Sequence, residues 1–487
     1  MYCGAMQTRE QDRAAGAPPP EDETDASHAT ANARTIWRRE MADTVKLALP
    51  MAATQLGQIA MMTTDLALIG RLGGPAVAAA ALAHTVLFGC FVLGMGLVAA
   101  VAPLASQAFG ARKPRMMRRV LRVGIWAAVL AGVPLTMLQF RGEAMLLALG
   151  QDATAAALAG HYLQGLAWSL IPAWIFIAVR NFMSALNKPE PALWITLAAI
   201  PINGLIAYAL INGAMGMPKL GIMGAGVATS VVNAGMCVAA FAVLNTQRPF
   251  AKFHVLGGLL RPDWVLLRQL VMLGLPISGS FALEYGLFAL AGLMMGWIGT
   301  AELAAHQIAL QVASILFMVP FGISMAATVR VGHAMGRGDA AGMRRAGLSA
   351  VLLAILFEIA MTVLIALARH RIPGLFLDAS DPANAATLAL AATLLLIAST
   401  FFIADGMQTV AAGALRGLND MRVPLLMAGL SFWGVGFPCA YAMGFHTRLG
   451  AYGIWAGLTI GIVAFAALLV ARFKVLTRDG MQQVRAA

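Results

Sequence analysis

The sequence predicts an all-α integral membrane protein with twelve transmembrane helices in two six-helix bundles related by a parallel internal repeat. Three observations carry that expectation. Of the 487 residues, 60% are hydrophobic and only 11% charged, whereas a soluble domain carries about a quarter charged residues. Twelve apolar segments follow residue 44, each long enough for the roughly 20 residues that a helix needs to cross a bilayer. The chain also repeats itself. A shift of 226 residues places Leu49 and Pro50 over Leu275 and Pro276, and without a gap sets Gly70 on Gly296, Gly73 on Gly299, Gly96 on Gly322 and Gly110 on Gly336.

Taken in order, residues 1–43 are polar and mixed in charge, with no apolar run of the kind a signal peptide needs. They are expected to be a disordered cytoplasmic N-tail, and Met41 is an alternative start. The expected spans of the first lobe (44–245) are 44–70, 76–109, 120–140, 158–186, 192–213 and 221–244. A cytoplasmic linker follows at 246–265. The second lobe (266–473) has spans at 266–298, 303–335, 346–368, 385–415, 422–445 and 450–473, and 474–487 is a cytoplasmic C-tail. The later thirds of the lobes also match: SALNKPEP at 184–191 is similar to RGLNDMRVP at 416–424, setting Asn187 on Asn419 at a shift of 232. Each lobe begins and ends on one side, so the repeats are parallel, an arrangement that puts a transporter's site between the halves.

The net charge of +12 reports topology rather than nucleic acid. One set of loops holds Arg71, Arg141, Lys219, Arg369, Arg371 and Arg448. Arg180 and Arg330 fall within spans, near the ends where long side chains snorkel. All other Lys and Arg lie in the tails or in the alternate loops, which places both termini in the cytoplasm. Cys3, Cys90, Cys237 and Cys439 have no C-x-x-C spacing and read as packing residues.

Ionisable groups inside the spans are few: Asp65, Glu284, Asp405 and Glu358. A carboxylate at the bilayer centre costs about 2.5–3.5 kcal/mol on insertion scales, and a transported cation is an obvious compensation. Under the repeat Glu284 stands on Gln58, Asp65 on Ala291 and Asp405 on Ala173. Acids that ignore the symmetry point to function rather than to a shared folding need. Glu358 is the more ambiguous, with a structural role the leading reading. Pro50 is expected to bend the first span. Gln58 and Asp65 are two turns apart on one face, and Gln307, with Gln311, could line a cavity. Asn203 follows Pro201, where a helix–helix hydrogen bond and a cavity role are equally open. His306 reads as a satisfied packing residue. No Lys is followed by Ser or Thr, so there is no phosphate-binding GxxxxGK[ST] loop, and no H-E-x-x-H or G-x-S-x-G element occurs. Neither an ATP-driven pump nor an ordinary hydrolase is supported, leaving an ion gradient as the energy source.

The run ALEYGLFALAGLMMGWIGTAELAAHQIALQVASILFMVPFGISMAATVRVGHAMGRGD, with DGMQTVAAGALRGLNDMRVP and TTDLALIGRLGG, resembles the multidrug and toxic compound extrusion (MATE) family in its NorM-like bacterial branch. The resemblance covers nearly all of 44–473. It implies a V-shaped exporter, not an enzyme, without a cofactor, acting as a monomer in the bacterial inner membrane. Its partners would be cationic amphiphilic drugs, a coupling Na+ or H+ and the lipid bilayer. Glu284 and Asp405 match the family's C-lobe acidic pair, where Na+ would bind if sodium is the coupling ion, and Asp65 matches the N-lobe aspartate. Phe401 stands where sodium-coupled relatives have Tyr; it keeps a ring face for a cation but no hydroxyl. A flippase of lipid-linked substrates on the same fold, or an ion channel, is the alternative.

Overall fold

The computed structural model describes residues 21–253, 257–258, 261, 263–378 and 380–486, with side chains described between 35 and 478. Twelve helical spans follow one another: α1 (Glu21–Gly70), α2 (Gly74–Gly110), α3 (Pro114–Phe140), α4 (Ala153–Ala167 and Leu170–Ala185), α5 (Glu190–Asn212), α6 (Ile222–Thr246), α7 (Trp264–Ile298), α8 (Thr300–Arg337), α9 (Ala340–Ala368), α10 (Ala385–Gly417), α11 (Arg422–Phe445) and α12 (Ala451–Ala486). Ten of them are long and apolar enough to cross a membrane, eleven with the two halves of α4, which meet at 46°. Helix α1 is less apolar because Gln55, Gln58 and Asp65 interrupt it. It still packs along α5 in its own lobe and α8 in the other.

Two expectations are corrected. Residues 21–43 are helical rather than disordered, because α1 begins at Glu21. Residues 1–20 and parts of the linker lie outside the described residues. Arg180 does not snorkel: it is 5% exposed, and its Nη1 donates to Gln55 Oε1 at 2.6 Å.

Helix starts are set by local chemistry. Asp339 caps α9 by accepting from Gly342 N at 2.7 Å, and Asp152 caps α4 by accepting from Thr154 N and Ala155 N. The two LP prolines lie inside α1 and α7. In each case a hydroxyl four residues on bonds back to the proline carbonyl, Thr54 at 2.7 Å and Ser280 at 3.0 Å. These hydroxyls are repeat equivalents.

The repeat is most visible where the lobes meet. A Cβ on Gly110 of α2 would strike the His333 carbonyl of α8, and one on Gly336 of α8 would strike the Gln107 carbonyl of α2. Gln107 and His333 are themselves related by 226 residues. The same reciprocity joins Gly96 to Ser278 and Gly322 to Ala52. Only glycine lets the backbones approach this closely.

Polar bonds close the same seam. Gln107 Nε2 donates to the Gly417 carbonyl at 2.9 Å, and its Oε1 accepts from Asn419 Nδ2 at 2.7 Å. Across the pseudo-axis, His333 Nε2 donates to the Ala185 carbonyl at 2.8 Å, and Ala185 is the repeat equivalent of Gly417. Asn187 and Asn419 share a left-handed backbone, φ 56° and 59°. Ion pairs add to these contacts: Arg119 with Asp263 at 2.5 Å, and Arg330 with Glu40. These bonds and ion pairs lie toward the side that carries the basic loops, and at mid-span Phe88 meets Tyr285 across the lobes, ring centres 4.7 Å apart.

Each neutral hydrogen bond contributes about 1 kcal/mol net, so the seam is a bias of a few kcal/mol rather than a lock. Substituting Gly336→Leu should open it and shift the population toward a basic-side-open form by roughly tenfold or more. Spin labels at Lys113 and Arg337, both exposed, should then move apart in pulsed electron resonance; an unchanged distance distribution would contradict the role given to the glycine.

Candidate functional site

Helix α7 carries Glu284 half-buried, and Trp433 of α11 steadies that turn by donating Nε1 to the Leu283 carbonyl at 3.2 Å. Helix α11 is wound loosely, as a π-helix, through Gly429–Gly436, a distortion common at functional sites. Asp405, 8% exposed, faces Glu284 from α10. Gln408, one turn on and on the same face, joins them. Its single Nε2 donates to Glu284 Oε1 at 2.9 Å and to Asp405 Oδ1 at 3.0 Å. The structure thus brings the two predicted C-lobe acids together, through a glutamine that composition alone did not single out.

Arg416 was also missed, since it reads as one more basic residue at a helix end. Its guanidinium lies 5.2 Å from the centre of the Phe281 ring, and its charge acts on Glu284. Glu284, Phe281, Gln408 and Arg416 line one pocket between α7, α8, α10 and α11. The repeat makes the arginine intelligible. Phe281 is the equivalent of Gln55, which holds Arg180, so each lobe keeps an arginine on the same position of its first helix.

Asp65 is in the other lobe and does not join the pair. It is 6% exposed, and accepts from Asn203 Nδ2 of α5 at 2.5 Å and Thr229 Oγ1 of α6 at 2.9 Å. Tyr162 of α4 lies within reach of its charge. Asn203 Oδ1 is buried without a partner among the described residues. A carboxylate beside an unpaired amide oxygen is an oxygen-donor set that could receive a small cation or a proton.

The proposed cavity residues fare differently. Gln58 is half-buried, and Gln307 and Gln311 are exposed on one face of α8. Phe401 is 1% exposed and packed against the rings of Phe288, Phe402 and Trp455. It lines no open cavity, because one turn from Asp405 it points into the lobe core. Asn203 is fully buried on Asp65 for the same reason. His306 is fully buried but not satisfied: neither ring nitrogen has a partner among the described residues, and its ring meets Trp455 edge-on at 5.6 Å. Pro50 lies inside α1, fifteen residues before Asp65.

Fold and site together define a two-lobed, multi-pass membrane protein with an acidic pair buried in one lobe and a single caged aspartate in the other. The chain belongs to the MatE family, whose model matches residues 50–209 and 276–442. It is 61% identical over 453 residues to the probable multidrug resistance protein NorM of Rhodopseudomonas palustris, covering 93% of this chain and 95% of that one. To the protein of the same description from Bradyrhizobium diazoefficiens it is 56% identical, covering 90% and 94%. Among solved structures it is similar to the eukaryotic MATE transporter AtDTX14, with a TM-score of 0.81 at 20% identity over 92% of this chain and 99% of that one. An outward-facing multidrug resistance MATE family transporter gives 0.79 at 18% identity, covering 91% and 97%.

Replacing Gln408 with Leu removes the hydrogen-bond donor that the two carboxylates share. A hydrogen bond to a charged group is worth about 1.5–3 kcal/mol. With the empty pair less stabilised, its affinity for a probe cation such as tetraphenylphosphonium should rise by roughly tenfold or more, read by titration calorimetry on the purified protein.

Proposed function

We propose that this protein is a multidrug efflux transporter of the bacterial inner membrane, with both termini cytoplasmic, that exports organic cations in exchange for Na+ or H+. The observation that carries the reading is the charge balance at the C-lobe pair. Glu284 and Asp405 are two carboxyls bridged by one neutral amide, two negative charges when both are ionised, with one arginine in the same pocket. Arg416 compensates one carboxylate, and the other needs a monovalent cation. A proton, a sodium ion or a drug cation meets that need equally, so they exclude one another. Half a turn of the Gln408 amide would present Oε1 to a metal cation in place of Nε2, letting one side chain serve both the empty and the loaded site.

Exclusion becomes transport when access alternates. In the state with the basic-side seam closed, an entering Na+ or H+ from outside displaces the drug cation into the open V. After the lobes rock about the seam, the ion leaves to the cytoplasm and the pair accepts the next drug cation. The 61% identical NorM relative is described as a probable multidrug resistance protein, which supports the drug side of the exchange. A same-fold flippase of lipid-linked substrates draws on one observation, Arg416 in the pocket, but a pyrophosphate would there meet Glu284 as well.

Glu284→Gln and Asp405→Asn should each abolish drug-for-ion exchange in proteoliposomes while expression and monodispersity are kept. Ethidium transport at the wild-type rate in both variants would refute the mechanism. Efflux driven by an imposed Na+ gradient with pH clamped, and then by a pH gradient with Na+ clamped, identifies the coupling ion.

A further inference from the structure

Another cavity, of about 550 Å³, lies between the start of α7 and the turn from α10 into α11. Neither Glu284 nor Asp405 lines it; Arg268 of α7 and Arg422 of α11 do, and both are exposed. Neither arginine has an acid partner among the described residues. Asp420, the acid of the lining, is already engaged, since Arg472 Nε donates to it at 2.9 Å. The cavity therefore presents two positive charges that no acid of its own balances.

Its position is that of the membrane interface. Trp264 opens α7 and is 62% exposed, as suits an aromatic side chain at headgroup level. From each arginine an exposed apolar row runs into the span. Met272 and Leu275 follow Arg268 at steps of four and three, and Leu426 and Leu430 follow Arg422 at steps of four. Each row thus keeps to one helix face. Both helices start on the basic-loop side, so the rows run the same way. A basic hollow continued by apolar rows matches a phospholipid, charged at one end and apolar along its chains.

The repeat shows that the common scaffold does not require these charges. Arg268 stands on Ala42 at the shift of 226, and Arg422 on Glu190 at the shift of 232, where the sign is reversed. Basic pockets between spans on the side of the basic loops suit anionic headgroups. A guanidinium fork matches phosphate oxygens, and surplus positive charge favours a headgroup of net negative charge over a zwitterionic one.

We propose that this pocket binds the phosphate of an anionic membrane phospholipid of the phosphatidylglycerol type, in the leaflet on the basic-loop side. Because its arginines belong to different helices, a headgroup held by both ties α7 to α11.

Lipid binding to the delipidated full-length protein is counted by native mass spectrometry, with dioleoyl phosphatidylglycerol and dioleoyl phosphatidylcholine titrated separately. Phosphatidylglycerol should bind the tighter. Arg268→Gln and Arg422→Gln should each weaken its first binding step by roughly tenfold and leave phosphatidylcholine unaffected. Arg115→Gln, which alters an exposed arginine outside the pocket, should bind phosphatidylglycerol as the wild type does. Equal affinity for the two lipids, wild-type affinity in both pocket variants, or an equal loss in Arg115→Gln overturns the site. Inorganic phosphate is the second arm: if it displaces the lipid at comparable concentration, the pocket serves a soluble anion and the lipid assignment fails.

Discussion

The backbone-to-backbone approach of α2 and α8 is the constraint on which the rest depends. Lipid offers little hydrophobic drive between helices, so the lobes are held by close packing and by polar bonds across it. Gly110 and Gly336 make that approach possible, and Gln107 and His333 use it to reach the helix ends of the opposite lobe. Because the four positions are two repeat pairs, the seam has a pseudo-two-fold axis along the membrane normal. Two lobes that touch about such an axis at one end can rock without losing their internal packing.

Against that symmetric frame, the charged residues are placed asymmetrically. The N-lobe acid accepts one hydrogen bond each from Asn203 and Thr229, whereas the C-lobe acids share one glutamine amide and have one arginine in their pocket. A carboxylate given two neutral donors is held in place. When ionised, a pair with one amide is short of positive charge, and in the proposed exchange a cation makes up the difference. The difference comes from a few side chains on equivalent backbones, which is an economical way for a duplicated scaffold to acquire a site in one half.

The asymmetry extends to the gate. Among the described residues Gln107 makes three hydrogen bonds across the seam, one of them to Met335 Sδ at 3.4 Å, and His333 one, so the two arms of the pseudo-axis are not equally strong. Ring contact between Phe109 and His333 at 4.9 Å partly compensates.

Much of this was legible in the sequence. Membrane spans follow from apolar length, since a helix in lipid must satisfy its own backbone. The 226-residue register exposed the duplication, and the acids stood out because charge is costly in a span. Legibility ended where a residue's role depends on what faces it. Gln408 and Arg416 look like an ordinary polar residue and an ordinary helix-end arginine until α7 is set against α10. Phe401 and Asn203 could be assigned to a cavity only because periodicity shows a face without showing whether solvent or another helix covers it. Arg180 could be expected to snorkel because its depth was known and its partner Gln55 was not. Local chemistry along one chain therefore determined the spans, the repeat and the candidate acids. Only the tertiary structure decided which acids are paired, which are caged and which, like Glu358 with Oε2 unpartnered among the described residues, are left bare, because those are properties of the space between helices.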